Sequence, residues 1–393
     1  MKKFFKFLYF LIFAVVLVFV YNYFSGYSLF DFDYINTPSY QEEVAEASNG
    51  TQFEKLYYSQ LDDDKRKIYD RIYFAIKDRK ESVRIYQKID NQDLFDIVSF
   101  VLAENPELFW SNGACTIDSS GKLTFDYIYT ADEIEYYKAQ IEQCTSSIIA
   151  EASAISDEYE RALFLFNFVA ENTSYDDKAA ENLSDNPEAS TIAGALVNKK
   201  AVCGGYSRAY QYLLSKCSLN AETVYGTANT PEGNQNHAWT LQFLNGNYYY
   251  TDATWGDSYE STDTQGYTSH IYFCMTEKDM SKTHTLDSNI SYPQCTATAD
   301  NYFVKEGLYF SDFSKSKLKK AISAQIENGN NFIEIKFENN TDYNSAVDNL
   351  ITDGSICYML LEIDPFQKKV DAANLSYSTD DTRNVLTLIL NKK

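Results

Sequence analysis

The chain has 393 residues, 34 Lys and Arg against 56 Asp and Glu, only three His, and a formal charge of −22. That surplus of negative charge repels phosphate backbones and anionic wall polymers, so nucleic acid is excluded as an expected partner. Seven scattered cysteines without a Cys-x-x-Cys pair are too thin for a disulfide scaffold, and without a His-Glu-x-x-His, a phosphate loop or a calcium loop no metal or cofactor is expected.

The length exceeds one ordinary domain, so several units are expected along the chain. Residues 7–20 are an unbroken apolar run that Tyr21, Tyr23 and Phe24 extend to about one membrane span, with Lys2, Lys3 and Lys6 in front. Residues 1–24 therefore predict a signal anchor that leaves the body outside the cell. A cleaved leader and a secreted protein is the competing reading, but Asn22-Tyr23-Phe24-Ser25-Gly26 offers no clear small-x-small site. Residues 25–50, with no sustained apolar period, read as a linker.

From 51 to 155 the pattern predicts a mainly helical unit with a short sheet. Ile68, Tyr69, Ile72, Tyr73 and Ile76 make one helical stripe behind Asp62-Asp63-Asp64. Leu94, Ile97, Val98, Val101 and Leu102 make another, opened by Asn91 and stopped by Asn105-Pro106. Leu108-Phe109-Trp110 then reads as an aromatic plug, 123–129 as a strand, and Thr130-Ala131-Asp132-Glu133 as a capping box that starts a helix toward Ser153.

Residues 156–298 carry the chemistry. A strongly apolar helix over 157–171 is followed by a short helix capped at Ser190-Thr191 and running through Val197. Then comes Ala201-Val202-Cys203-Gly204-Gly205-Tyr206, where Tyr206, Ala209, Tyr210, Leu213 and Cys217 keep helical spacing. Cys203 thus sits in a first turn, where unpaired amides and the helix dipole favour a thiolate. Lys199 and Lys200 read as a solvated turn, although positive charge near the sulfur would also favour its ionised form. Residues 221–227 predict a strand and 228–235, rich in Asn, Gly and Pro, a loop overhanging the cleft. Asn236-His237-Ala238-Trp239 opens a strand that turns at Asn245-Gly246 and returns over 248–255. That register sets His237 against Thr254 and Trp239 against Asp252, with His237 and Asp252 on one face about 7 to 8 Å apart at the backbone. A thiol needs a base, and the base needs a group to fix its tautomer, which Cys203, His237 and Asp252 supply. Residues 270–275 read as a further strand, and His284 as a hydrogen-bonding residue more than a catalytic one. Residues 299–393 change texture. Helices over 314–326 and 343–350, a strand over 332–337, a strand or buried helix over 356–363 and closing strands at 375–377 and 384–390 predict a small α/β module.

Three fragments resemble the transglutaminase-like superfamily, relatives of papain-type cysteine proteases: Ala201-Val202-Cys203-Gly204-Gly205-Tyr206, Asn236-His237-Ala238-Trp239, and Tyr249-Tyr250-Thr251-Asp252-Ala253-Thr254-Trp255. Upstream, Leu165-Phe166-Asn167-Phe168-Val169 and Asn172-Thr173-Ser174-Tyr175-Asp176 look like the segments preceding the cysteine in bacterial members, and the helical unit resembles the region before the core in membrane-anchored ones. The resemblance implies an α+β fold with a transglutaminase or papain-like core, in which the helix bearing the cysteine packs on an antiparallel sheet bearing the histidine and aspartate. It implies an extracellular, membrane-anchored thiol enzyme acting on protein or peptide substrates at the cell surface, through a thioester, as protease, amidase or cross-linking transferase. Tyr206 and Trp239 are candidate oxyanion donors and Trp255 a candidate cleft residue. Gly204 departs from the charged or polar residue common after the cysteine, and Thr240 and Ala253 from frequent choices, which leaves substrate preference open. A silent surface scaffold that keeps the fold, and a metal-dependent hydrolase, are the alternatives.

Overall fold

A computed structural model describes residues 55–230, 233–257 and 266–391. The expected anchor at 1–24 and linker at 25–50 lie outside the described residues. Among the described residues no helix is long and apolar enough to cross a membrane.

Helix α1 (Asp63–Lys77) starts where the Asp62 carboxylate accepts the N–H groups of Asp64 and Lys65, and it buries the Ile68-Tyr69-Ile72-Tyr73-Ile76 stripe. After β1 (Ser82–Arg84), α2 (Asn91–Glu104) is capped by Asp90, whose carboxylate takes the Asp93 N–H, so the cap lies one residue before the expected Asn91. Strands β2 (Ser111–Ile117) and β3 (Lys122–Tyr127) complete a sheet of order β1-β3-β2. The aromatic plug forms as expected: Leu108, Phe109 and Trp110 are buried, and the Trp110 indole donates to the Ile76 carbonyl at 2.9 Å. Helix α3 (Ala131–Ala154) opens on the Thr130/Glu133 capping box.

Helix α4 (Glu158–Asn172) leads to β4 (Ser174–Tyr175), which pairs in parallel with β5 (Lys200–Ala201) just ahead of the cysteine. Between them the expected short helix is wound wide over Gly194–Asn198, and it ends on Lys199 in the left-handed region at φ 56°. Helix α5 (Cys203–Lys216) packs on an antiparallel sheet of β6 (Asn220–Thr230), β7 (Gly233–Leu244), β8 (Asn247–Thr251) and β9 (His284–Leu286), in the order β8-β7-β6-β9.

Three expectations here need correction. The loop expected at 228–235 is ladder: Ala228 pairs with Gln235 and Thr230 with Gly233. Its Asn and Gly content predicted a loop, yet on the described residues either side of 231–232 the backbone pairs. The strand expected at 270–275 does not form. Cys274 has φ 53°, and the segment contributes only the bridge between Tyr250 and Met275. Its apolar run reflects burial of Tyr272, Phe273, Cys274 and Met275 in the core, not strand periodicity. The return strand stops at Thr251, so Asp252 and Thr254 do not continue the ladder opposite Trp239 and His237.

The C-terminal module has a sheet of order β10-β11-β13-β12, from β10 (Tyr309–Phe310), β11 (Phe332–Phe337), β12 (Leu375–Asp380) and β13 (Val385–Leu390). Helices α6 (Lys315–Glu327), α7 (Asn340–Val347) and α8 (Ser355–Ile363) join the strands, and α8 resolves the strand-or-helix ambiguity toward helix. Its core runs from Phe303 to Leu390 and is separate, whereas one continuous core runs from Leu56 to Cys295. The helical unit and the cysteine-bearing unit therefore share their interior.

Candidate active site

Cys203 is the first residue of α5. Val202 precedes it without a capping side chain and is held by its own N–H on the Ala189 carbonyl at 2.9 Å. The Gly205 N–H is taken by the Val202 carbonyl at 2.8 Å, which leaves the amides of Cys203 and Gly204 at the mouth of the helix. Gly205 makes the close approach possible, since a Cβ there would lie 2.3 Å from the Ala189 carbonyl oxygen and 2.7 Å from Ala201 Cβ. One helical step on, Ser207 Oγ donates to the Ala238 carbonyl at 3.0 Å and fastens α5 to β7 one residue from His237.

His237 projects from β7 toward Asp252, with Nε2 2.8 Å from Asp252 Oδ2, and both side chains are buried. His284 Nε2 reaches the same oxygen at 3.2 Å, while Oδ1 accepts the Thr254 N–H at 2.9 Å and the Trp255 N–H at 3.4 Å. Asp252 left the strand but gained a turn whose amides hold its carboxylate. Burial acts to raise the Asp252 pKa, yet the charge and hydrogen bonds of His237 and His284 hold it well below the usual carboxylate range. Burial likewise opposes an imidazolium at His237, but Asp252 and the Cys203 sulfur together push its pKa up to about 10. His284 goes the other way: desolvation outweighs its bond to Asp252 and lowers its pKa, so it stays neutral. With Nε2 committed to Asp252, the other ring nitrogen of His237 serves the sulfur. Burial raises the Cys203 thiol, but the charge and hydrogen bond of His237 and a hydrogen bond from the Ala238 amide more than reverse this, and its pKa falls below the ordinary thiol value.

The sulfur opens on a cleft of about 360 Å³. Val202, Gly204 and Arg208 line it from the start of α5, Tyr225 and Asn236 from the sheet, and Tyr57, Asp96, Phe100 and Asn112 from the helical unit. A larger hollow of about 410 Å³, around Tyr309, Lys317 and Lys320 in the C-terminal module, has no thiol or imidazole on its walls. The cleft residues of the helical unit carried no sequence signal, because nothing in a 51–155 helix pattern says which exposed positions meet a cysteine about a hundred residues on.

The other expected residues divide. Trp255 lies against the network, its ring 5.6 Å from that of His237 and 4.6 Å from that of His284. Tyr206 is no oxyanion donor, because its hydroxyl is spent on the Thr173 carbonyl at 2.9 Å and Asp257 Oδ2 at 2.6 Å. Trp239 is fully buried, 4.9 Å from the His284 ring, and is not among the cleft-lining residues, which removes it too as a donor to the cleft. Lys200 pairs with Asp176 at 3.4 Å and Lys199 reaches Asn172 at 3.5 Å, so neither charge is directed at the sulfur. Among the described residues His237, Asp252 and His284 are also the group whose ligand atoms lie close enough to share a metal ion, within 4.8 Å. Both Nε2 atoms face one carboxylate oxygen at hydrogen-bond distance, which uses these atoms as a proton network.

Residues 147–253 match the family model of the transglutaminase-like superfamily, so the α+β fold has a transglutaminase-like core, and Cys203, His237 and Asp252 lie within the matched stretch. Kyphoscoliosis peptidase of mouse and that of human are each 24% identical to this chain over 147 residues, 35% of it and 22% of theirs; the match thus spans less than a quarter of those relatives. A solved TGase structure aligns over 38% of this chain and 44% of its own at 19% identity and TM-score 0.28. A candidate cysteine protease from Cytophaga hutchinsonii aligns over 32% and 43% at 17% identity and TM-score 0.25.

Proposed function

We propose that the transglutaminase-like core of this chain is a thiol acyl-transfer enzyme acting on peptide or glutamine amide bonds, with Cys203 as nucleophile, His237 as base and Asp252 as its support. The Cys203 thiolate attacks the amide carbon, and the His237 imidazolium gives its proton to the departing nitrogen as the C–N bond breaks. The product is a thioester on Cys203. Water drawn through His237 then hydrolyses it, or a primary amine takes the acyl group. The Cys203 backbone N–H at the mouth of α5 is the donor placed for the oxyanion. We also propose that the body stands outside the cell, tethered by the 1–24 segment, and meets protein or peptide substrates there.

One arrangement carries this reading: Cys203 and His237 line the same cleft, and His237 Nε2 lies 2.8 Å from Asp252 Oδ2. Cys203 is drawn below the ordinary thiol value, while burial pushes Cys144, Cys217 and Cys274 up, Cys115 to about 11 and Cys295 to about 12. Reaction class is tested by incubating the protein with a peptide library, with and without a primary amine, and reading masses. Cleavage, or deamidation in which water takes the place of the released ammonia, marks a hydrolase, and incorporation of the amine in its place marks a transferase. No product in either arm, combined with Cys203 alkylating no faster than the other thiols, would leave a scaffold that keeps the fold without turnover.

A further inference from the structure

We infer that the C-terminal module completes the active site, with Arg383 as a positioning residue that presses Tyr272 and Trp255 onto the His237–Asp252–His284 network; this rests on the thiol-enzyme reading above. Arg383 stands in the turn between β12 and β13, outside the family-matched stretch, and is almost fully buried. Its guanidinium carbon lies 4.4 Å from the Tyr272 ring centroid and 6.0 Å from that of Trp255, within the range of a cation–π contact. One guanidinium nitrogen pairs with Asp380, while Nε has no hydrogen-bond partner, so the aromatic faces supply much of its contact.

Both rings matter to the chemistry. The Tyr272 carbonyl accepts the Asp252 N–H at 3.0 Å, and its ring meets the His284 ring edge-on at 5.5 Å. Trp255 packs against Tyr272 at 4.8 Å and against His237 at 5.6 Å. The segment carrying Tyr272 is held by the same module at two further points. Glu334 accepts from Ser269 Oγ at 2.6 Å and from the His270 N–H at 2.8 Å, and Lys336 pairs with Asp279 at 2.6 Å. Arg383, Tyr272 and Trp255 are not on the cleft wall. They act behind the imidazoles, holding Asp252 where its charge and hydrogen bond outweigh the burial that opposes an imidazolium at His237, and so keeping that imidazolium beside the sulfur.

The test follows Cys203 alkylation by iodoacetamide against pH in the wild-type full chain, Arg383→Met and Arg383→Lys, with folding checked by circular dichroism. Arg383→Met keeps bulk but loses the charge and the planar fork. Its alkylation midpoint should rise by about one pH unit, making Cys203 about tenfold slower below the midpoint, and kcat should fall with KM unchanged. Arg383→Lys should lie between the two. A folded Arg383→Met with the wild-type midpoint overturns the inference, and if that variant does not fold, a wild-type midpoint in Arg383→Lys overturns it. A wild type whose Cys203 shows no lowered midpoint instead overturns the thiol-enzyme reading itself.

Discussion

The charge state of the Cys203–His237 pair sets the pH behaviour of the site. The thiol pKa is lowered and the imidazole pKa raised to about 10, so thiolate and imidazolium coexist between those two values. The ratio kcat/KM should therefore climb as pH rises through the lowered thiol pKa, stay level, and fall above about pH 10 as His237 loses its proton. In His237→Ala the positive partner is gone while the burial that raises the thiol remains, so the Cys203 pKa should climb to the ordinary thiol value or above and its thiolate fraction at pH 7 should drop sharply. Alkylation rates across pH, resolved per cysteine by mass spectrometry, check this. Asp252→Asn should leave Cys203 in place but lower kcat by about two orders of magnitude or more, since the amide neither fixes the tautomer nor balances the imidazolium. Steady-state kinetics on any substrate found in the peptide screen measures it. The meeting of these three residues was legible because the chain has only three histidines and the fragments around Cys203 and His237 implied their own elements, whereas Asp252 reaches His237 from a turn past the end of the expected strand. Tyr206 and Trp239 were misplaced because the hydroxyl of one is taken by Asp257 and the ring of the other is buried against His284, neighbours that lie far along the chain.

Beside the sulfur, α5 meets the segment at Ala189 at a close backbone approach. Gly205 is the residue that permits it, and Gly204, whose added Cβ would stand 3.6 Å from the nearest atom, is under no such constraint. Gly205→Ala should therefore cost on the order of 2 kcal/mol or more through displaced backbone. Gly204→Ala should change stability by less than about 1 kcal/mol. Urea unfolding of the two variants beside wild type separates them, and equal losses would show that the Gly-Gly pair has no asymmetry. Elements of this kind were readable where local chemistry decides. The Thr130/Glu133 box and the Asn245-Gly246 turn appear as expected, and β11 (Phe332–Phe337) spans the residues read for it. Reading failed where the tertiary core overrode pattern. The 270–275 run is apolar because it is buried, and β8 ends early because the Asp252 N–H finds the Tyr272 carbonyl in place of the ladder.

The helical unit and the sheet are joined at molecular scale by buried charge that no local pattern announces. Lys55 Nζ lies 3.2 Å from Glu222 Oε1 on β6 and donates to the Glu104 carbonyl at 2.8 Å. Glu104 is itself held by the Tyr57 and Tyr58 amides and by the Tyr69 hydroxyl at 2.6 Å, while Gln211 donates to Glu222 at 2.9 Å. Two buried carboxylates thus stand near one ammonium that contacts only that of Glu222, and desolvation raises both, Glu222 to about 8. A native state that holds a proton on Glu222 up to about pH 8 binds more protons than the unfolded chain, whose glutamates release theirs near 4.5. Stability from this group is therefore full below about pH 4.5 and is lost as pH rises through 8, with a slope of at most about 1.4 kcal/mol per pH unit. Glu222→Gln keeps the shape, accepts one hydrogen bond and removes the titration. Its unfolding free energy should fall less steeply than wild type between pH 6 and 9, as urea titrations at several pH values would read. Because Tyr57 both donates to the Thr223 carbonyl at 2.8 Å and lines the cleft, losing this junction would also loosen the wall facing Cys203. Wild-type activity should then decline on the alkaline side earlier than the His237 pKa alone dictates, and Glu222→Gln should restore the missing part of that limb. Parallel alkaline limbs in the two proteins would confine the buried charges to stability and sever them from the cleft.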